Sequence, residues 1–544
     1  MSIRKEHIHF VILLALCGVV FFAGLGIRDI WNIDEGMHAA MAQNMLISGE
    51  WITPTYNGEA FLDKPPLFNW ANAIAFIVFG ITEFAARIPS AVAGSGCVIL
   101  TYLLGRKIFD ARTGLLAGII LATSLEMIIL SRAVQYDVVF TFFTTLALYL
   151  FVSGVIEQRF NKRYFLAFYV ALALAFLTKG PLAIVLTGLV IGGYLLHRNR
   201  IKLLPQLQIP LGTLIFMVIV TPWFALMEKA NPGYLNYFLY QQHFANFFSG
   251  AGEYQPRHIE PFYYYLPVLL LGLLPWSLML PQAITRAVRQ HRTVSAGMSL
   301  FLIIWVIGVF LFFSSASSKL STYVLPLFPA AALLLGRYWS EFLDKPDSRA
   351  RFGILLGTGV VFAALALFTA YVVIENPWTY LQFRSGIDWH DFEMSLFLLS
   401  ALFGLAFLLT WLRQNRPAFV VLAAISPLFL FYVLFAIVPD VNPYKSSRQI
   451  ALELDALLPA GEKIRFYGHH HFDSAVFYTR RDTLELRTEE QLEAHLASDE
   501  RRYALVQTRA RTEKDAFKGN YHVIKVIGNK AIVSNRPDTQ QTGN

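Results

Sequence analysis

Apolar residues run along this chain in long unbroken blocks, without the alternation of a half-buried strand or the narrow stripe of a surface helix. Blocks of about 17–25 residues match the hydrocarbon core of a bilayer. They predict about thirteen membrane-spanning helices, at 10–27, 86–104, 114–130, 138–155, 164–178, 180–196, 208–227, 262–283, 298–315, 321–336, 352–374, 393–412 and 417–438. The first block follows Arg4 and Lys5 in the manner of a signal peptide. Its apolar stretch is long, no clear cleavage site follows, and more spans come after it, so it is read as a retained helix. One block stands apart: 67–81 is short and follows Pro65-Pro66, which predicts an interfacial or re-entrant helix.

Past the last block the pattern changes. Short helices are expected at 452–458 and 489–497, and strands at 463–467, 483–486, 503–507, 522–527 and 531–533. The fold class is therefore a polytopic α-helical membrane protein with a small C-terminal α/β domain. A membrane domain covers 1–440, with large outer segments at 28–85 and 228–261, followed by a soluble domain at 441–535 and a disordered tail at 536–544.

Composition supports the membrane reading: 56% of the 544 residues are hydrophobic and 15% are charged, where a soluble chain carries about a quarter charged residues. The net charge of +8 speaks to topology rather than to nucleic acid. The expected cytoplasmic connections at 105–113, 157–163, 197–202, 286–292, 337–351 and 413–416, with the N-terminus, hold roughly 20 Lys and Arg, against roughly eight on the opposite side. This bias puts the N-terminus in the cytoplasm and, with an odd number of spans, the C-terminus outside, as expected of an inner-membrane protein. Cys17 and Cys97 both lie in apolar blocks and are read as packing residues.

Ionisable residues collect at the outer ends of spans. A transporter places them near the membrane midplane, so this distribution argues against a flippase or transporter and for a site at the outer surface. The first outer segment carries Asp34-Glu35 at the start of a helical stretch and Asp63-Lys64-Pro65-Pro66. Acids in a first turn also serve the helix dipole, and the second motif also suits a surface turn. Arg132, Asp137, Lys179, His243, Arg257, Lys319 and Tyr323 face the same side. Cations of this kind grip a phosphate, and carboxylates with histidine hold a divalent metal or take a proton. The set suits a phosphorylated lipid substrate. Gly468-His-His-His is read as a loop, Gly353-x-x-x-Gly357 as a helix-packing motif, and Trp51, Trp70, Trp223 and Trp276 as interfacial belt residues.

Asp34-Glu35, Gly49-Glu-Trp-Ile-Thr-Pro, Asp63-Lys-Pro-Pro, Thr178-Lys-Gly-Pro, Gln242-His243, Pro261-Phe-Tyr-Tyr-Tyr, Leu274-Pro-Trp276 and Ser318-Lys with Tyr323 follow in an order that resembles the GT-C glycosyltransferases of the bacterial protein-mannosyltransferase-like group, most of all the branch that transfers aminoarabinose to lipid A. The resemblance covers nearly the whole chain. It implies an inverting transferase that takes a sugar from undecaprenyl phosphate, a donor suited to a compartment without nucleotide sugars, and passes it to lipid A or another envelope acceptor. Protein O-glycosylation is the alternative within the family. It implies catalytic roles for Asp34, Glu35 and Asp137. Grip on the donor phosphate falls to Lys64, Arg132, Lys179, Arg257, Lys319 and Tyr323. Asp63 and His243 are implied as a pair for a divalent metal ion, and the protein is expected to act as a monomer. Relatives often have Glu before the histidine and Arg three residues after it; here those positions are Gln242 and Asn246.

Overall fold

A computed structural model describes residues 2–156, 161–245, 259–289, 296–375, 390–468, 472–507 and 521–537. Each of the thirteen apolar blocks lies on a helical segment. Among the described residues, seven helices are long and apolar enough to cross a membrane, or nine if each of two bent pairs is one span. Ala111–Ala122 and Leu125–Ser131 meet at 65°, and Phe262–Gly272 and Ser277–Arg289 at 112°. The first segment, Ser2–Cys17, runs on as a π-helical turn over Gly18–Phe22.

Burial differs sharply between helices. Most of Glu83–Ile108 and Tyr136–Ile156 is enclosed, whereas Ile209–Ala230 and Ser348–Glu375 leave most of their apolar surface uncovered. Exposed rows such as Leu214, Val218, Leu367 and Ile374 are what a helix presents to lipid, where water would penalise them.

Leu67–Phe79 is a separate short apolar helix. Its thirteen residues reach about 20 Å, short of a bilayer core of about 30 Å. One face buries Phe68, Asn69 and Asn72, and the other exposes Ile74, Ile77, Val78 and Phe79. The Tyr136 hydroxyl donates to Asn69 Oδ1 at 2.7 Å, fixing the helix to a long span.

A two-residue hairpin joins β1 (Thr55–Tyr56) to β2 (Glu59–Ala60). Its turn residues, Asn57 and Gly58, have φ of 52° and 79°, as this tight turn requires. The C-terminal region forms a five-stranded sheet from β3 (Ile464–Tyr467), β4 (Thr483–Glu485), β5 (Tyr503–Gln507), β6 (His522–Ile527) and β7 (Lys530–Ser534), in the order β4-β3-β5-β7-β6. β3 runs parallel to both β4 and β5, and the other pairings are antiparallel. The helix Asp473–Thr479 crosses from β3 to β4. Sequence patterning did not anticipate it, because it is only two turns long and follows the Gly468-His-His-His loop, of which residues 469–471 lie outside the described residues. Lys530, fully buried, donates to the carbonyls of Pro443, Tyr444 and Ser446 at 2.9, 2.9 and 3.0 Å. It caps the C-terminal end of Val438–Lys445 and so ties the sheet to the last membrane segment.

The tryptophans correct one expectation. Trp276 is fully buried and donates to Thr123 Oγ1 at 3.1 Å; Trp223 is nearly so and donates to the Ile52 carbonyl at 3.0 Å. Trp70 donates to the Trp51 carbonyl at 2.8 Å. These rings fasten loops to spans, and the apolar residues around them provide the lipid-facing surface. Gly353 and Gly357 sit against Gln282 and Leu278, in keeping with a packing motif.

Candidate active site

The helix Asp34–Ser48 brings the first acids to the outer end of the bundle. Its two leading carboxylates have opposite fates. Glu35 is buried, and its oxygens accept from Arg28 at 2.9 Å, from Arg87 at 2.8 and 3.1 Å, and from the Trp31 N–H at 3.0 Å. Burial alone would raise its pKa, but the charges of Arg28 and Arg87 overcome this and hold it at about 2. Arg87 also donates to the carbonyls of Leu25, Arg28 and Asp29. Glu35 and Arg87 together form a rivet under the loop. Asp34, one residue earlier, stays exposed.

The residue before it, Ile33, has φ 73° and ψ −129°. Glycine is at ease in this conformation, whereas a β-branched residue pays about 1–3 kcal/mol.

Lys64, from the Asp63-Lys64-Pro65-Pro66 turn, is half-buried. Burial, and then the nearby charge of Lys179, lower its pKa; Asp63, Asp137 and Asp34 act against that shift. Lys179, at the end of Lys162–Lys179, forms a buried ion pair with Asp137, at the start of Tyr136–Ile156. Its ammonium also lies 4.2 Å from the centre of the Tyr323 ring, a cation–π contact. The charges of Asp34 and Asp137 both reach Tyr323. His38, one turn beyond Asp34, is buried, and its pKa is lowered to about 3 by burial and by Lys64, so it is neutral at physiological pH.

Asp34, Lys64, Asp137, Lys179 and Tyr323 thus form one group of electrostatically coupled side chains. Lys179 is neutralised by Asp137, but Lys64 has no ion-pair or hydrogen-bond partner among the described residues. A half-buried, unpaired ammonium favours an anionic ligand.

Other expected site residues lie elsewhere or are already engaged. The Arg132 guanidinium donates to the Val20 carbonyl at 3.0 Å and feels the charges of Arg87 and Arg28, so it belongs with the Glu35 rivet. The Lys319 ammonium is buried and donates to the carbonyls of Glu260 and Ala316 at 2.8 and 2.5 Å. It fastens two loops joined by the Ile259–Ser318 bridge. Asp63 accepts from the Tyr237 hydroxyl at 2.6 Å. Arg257 and the side chain of His243 lie outside the described residues. Among the described residues no three His, Cys, Asp or Glu side chains converge as a metal site.

Comparison with known proteins gives this group of residues a context. Residues 63–225, which hold Lys64, Asp137 and Lys179, match the dolichyl-phosphate-mannose-protein mannosyltransferase family. The undecaprenyl phosphate-α-4-amino-4-deoxy-L-arabinose arabinosyl transferase of Pseudomonas paraeruginosa is 31% identical over 79% of this chain and 75% of its own. The chain belongs to the GT-C glycosyltransferases of the bacterial protein-mannosyltransferase-like family. A protein of unassigned function from Aquifex aeolicus is 32% identical over 85% of each chain. The crystal structure of ArnT from Cupriavidus metallidurans bound to undecaprenyl phosphate superposes with a TM-score of 0.79 at 23% identity, covering 97% of this chain and 98% of the other. This GT-C protein therefore shares the fold of that structure over nearly its full length.

Sequence reading missed Arg87. An arginine one residue inside an apolar block was itself a signal, since an ionisable residue there needs a partner. The partner, Glu35, lies 52 positions away in sequence.

Proposed function

We propose that this protein transfers 4-amino-4-deoxy-L-arabinose from undecaprenyl phosphate to a phosphate of lipid A, with inversion, on the periplasmic face of the inner membrane. The observation that carries the reading is the unpaired Lys64 ammonium beside the exposed Asp34 carboxylate, in a chain related over most of its length to transferases named for that donor. The excess of basic residues on the opposite loops supports the orientation, with the N-terminus inside.

In the reaction, the bond between the anomeric carbon and the donor phosphate oxygen breaks, and its electron pair stays on that oxygen. Lys64 stabilises the growing negative charge, and such preorganised electrostatics typically contribute most to a rate. Lys179, already balanced by Asp137 and seated over Tyr323, shapes the same wall. Positive charge grows at the anomeric carbon, where Asp34 opposes it. A lipid A phosphate oxygen attacks from the other face and needs no base. The charges balance: a phosphodiester and a phosphomonoester become a new phosphodiester and undecaprenyl phosphate. A hydroxyl acceptor would instead require Asp34 to take the proton. Glu35, with its oxygens engaged by Arg28, Arg87 and Trp31, acts as a positioning residue.

Purified protein supplied with undecaprenyl-phosphate aminoarabinose and lipid A should form pentosamine-modified lipid A, and Asp34→Asn should not. Transfer to a protein acceptor and not to lipid A would move the reading to O-glycosylation. Full activity of Asp34→Asn would remove Asp34 from the mechanism.

A further inference from the structure

The C-terminal domain meets the membrane domain at the loop that carries Asp34, where the backbone is most strained. Four consecutive residues there are held from the far end of the chain. The Ile30 N–H donates to the Tyr478 hydroxyl at 2.8 Å. The Trp31 indole donates to Asn442 at 2.9 Å. Asn32 donates its N–H to the Lys445 carbonyl at 2.9 Å and accepts from the Ser474 N–H at 3.0 Å. The Ile33 N–H donates to Asp473 Oδ2 at 3.1 Å. The other oxygen of Asp473 takes the hydroxyl of Tyr56, from the β1–β2 hairpin, and Asn57 of the same hairpin bonds the Thr483 N–H at 3.0 Å. Asp473 therefore joins the Asp34 loop, the hairpin and the C-terminal domain.

Simple docking of a soluble domain does not require a strained residue. Ile33, with φ 73° and ψ −129°, has a backbone conformation that glycine usually occupies. Such a conformation persists when its surroundings over-determine it, and the Asp473 carboxylate at its N–H does this. Asp34 follows directly, so the turn at Ile33 sets where its carboxylate emerges.

We propose that the helix Asp473–Thr479 is a positioning element of the active site: Asp473 holds Ile33 in its positive-φ turn and thereby sets the position of Asp34 relative to Lys64. The catalytic consequence rests on the transferase reading above, while the structural clamp can be measured without it.

The test uses full-length protein in lipid nanodiscs. Asp473→Ala removes both acceptors. Ile33→Gly adopts the positive-φ turn without restraint. Hydrogen exchange of the segment 28–36 should quicken in Asp473→Ala. With undecaprenyl-phosphate aminoarabinose as donor, kcat should fall roughly 10–100-fold, the effect of a small misplacement of a catalytic group, with the donor KM unchanged. Adding Ile33→Gly to Asp473→Ala should restore most of kcat, which a merely structural role for Asp473 does not predict. If Asp473→Ala fails to fold, Asp473→Asn, which keeps one acceptor oxygen, makes the same comparison at smaller amplitude. Unchanged exchange in 28–36, or a loss of kcat that Ile33→Gly does not relieve, overturns the proposal. A wild type that transfers no sugar while the exchange difference is present overturns the transferase reading and leaves the clamp standing.

Discussion

Gly36 meets the backbone of Ser474 so closely that a Cβ at position 36 would lie 2.6 Å from the Ser474 nitrogen and 2.7 Å from the Asp473 carbonyl carbon. No side chain fits between the Asp34 helix and the Asp473 helix. Because the obstruction is backbone, a rotamer change cannot relieve it. Gly36→Ala should push the helices apart at a cost of about 1–3 kcal/mol, read as a lower thermal midpoint in detergent together with reduced transfer. An unchanged midpoint would mean that the interface is looser than described.

The pair Asp137–Lys179 is buried on both sides, with side chains 8% and 7% exposed. Removing one partner leaves a buried charge behind, whereas removing both does not. Lys179→Met alone should cost about 3–5 kcal/mol, and the double variant Asp137→Asn/Lys179→Met should recover a large part of that stability. Additive losses in the double-mutant cycle would show that the two groups do not interact.

Acid should loosen the Asp34 loop through Glu35. Its folded carboxyl is held at about 2, below its ordinary value of 4.5. For a depressed carboxyl, the stabilisation is complete above the ordinary value and is lost as pH falls through the folded one. Between pH 4.5 and about 2 this removes about 3 kcal/mol. The protection of 28–36 against hydrogen exchange, taken relative to the intrinsic rate at each pH, should fall across that window, and Glu35→Gln should abolish this pH dependence. A loss of protection confined to pH values above 5 would point to another group.

Lys64 should govern grip on the donor. Lys64→Met should weaken competition by undecaprenyl phosphate and lower kcat, since the same ammonium meets the phosphate in the ground state and takes up charge in the transition state. Lys319→Met should change stability more than donor affinity, because its ammonium serves two carbonyls. The reverse ranking would exchange their roles.

Among the described residues, the apolar blocks of the sequence fall on helices, a short helix follows Pro65-Pro66, and the five C-terminal strands lie where the pattern placed them, because hydrophobic periodicity is a local signal. It also singled out Asp34, Lys64, Asp137, Lys179 and Tyr323, whose charges reach one another in the fold. What it did not show is which polar residues are engaged in holding the structure. Arg132 and Lys319 resemble phosphate ligands in sequence, yet their N–H groups serve carbonyls. Glu35 and Asp34 are neighbours in sequence, but a rivet to Arg87 separates their roles. Asp473 lies 440 positions from Ile33, and no local pattern joins them.

The central claim is tested most directly by mass spectrometry of lipid A from cells that carry or lack this gene, grown under conditions that induce envelope modification. The account predicts a pentosamine-sized increment that disappears on deletion, returns with the wild-type gene and does not return with Asp34→Asn. An increment that survives deletion, or one that Asp34→Asn restores in full, would contradict it.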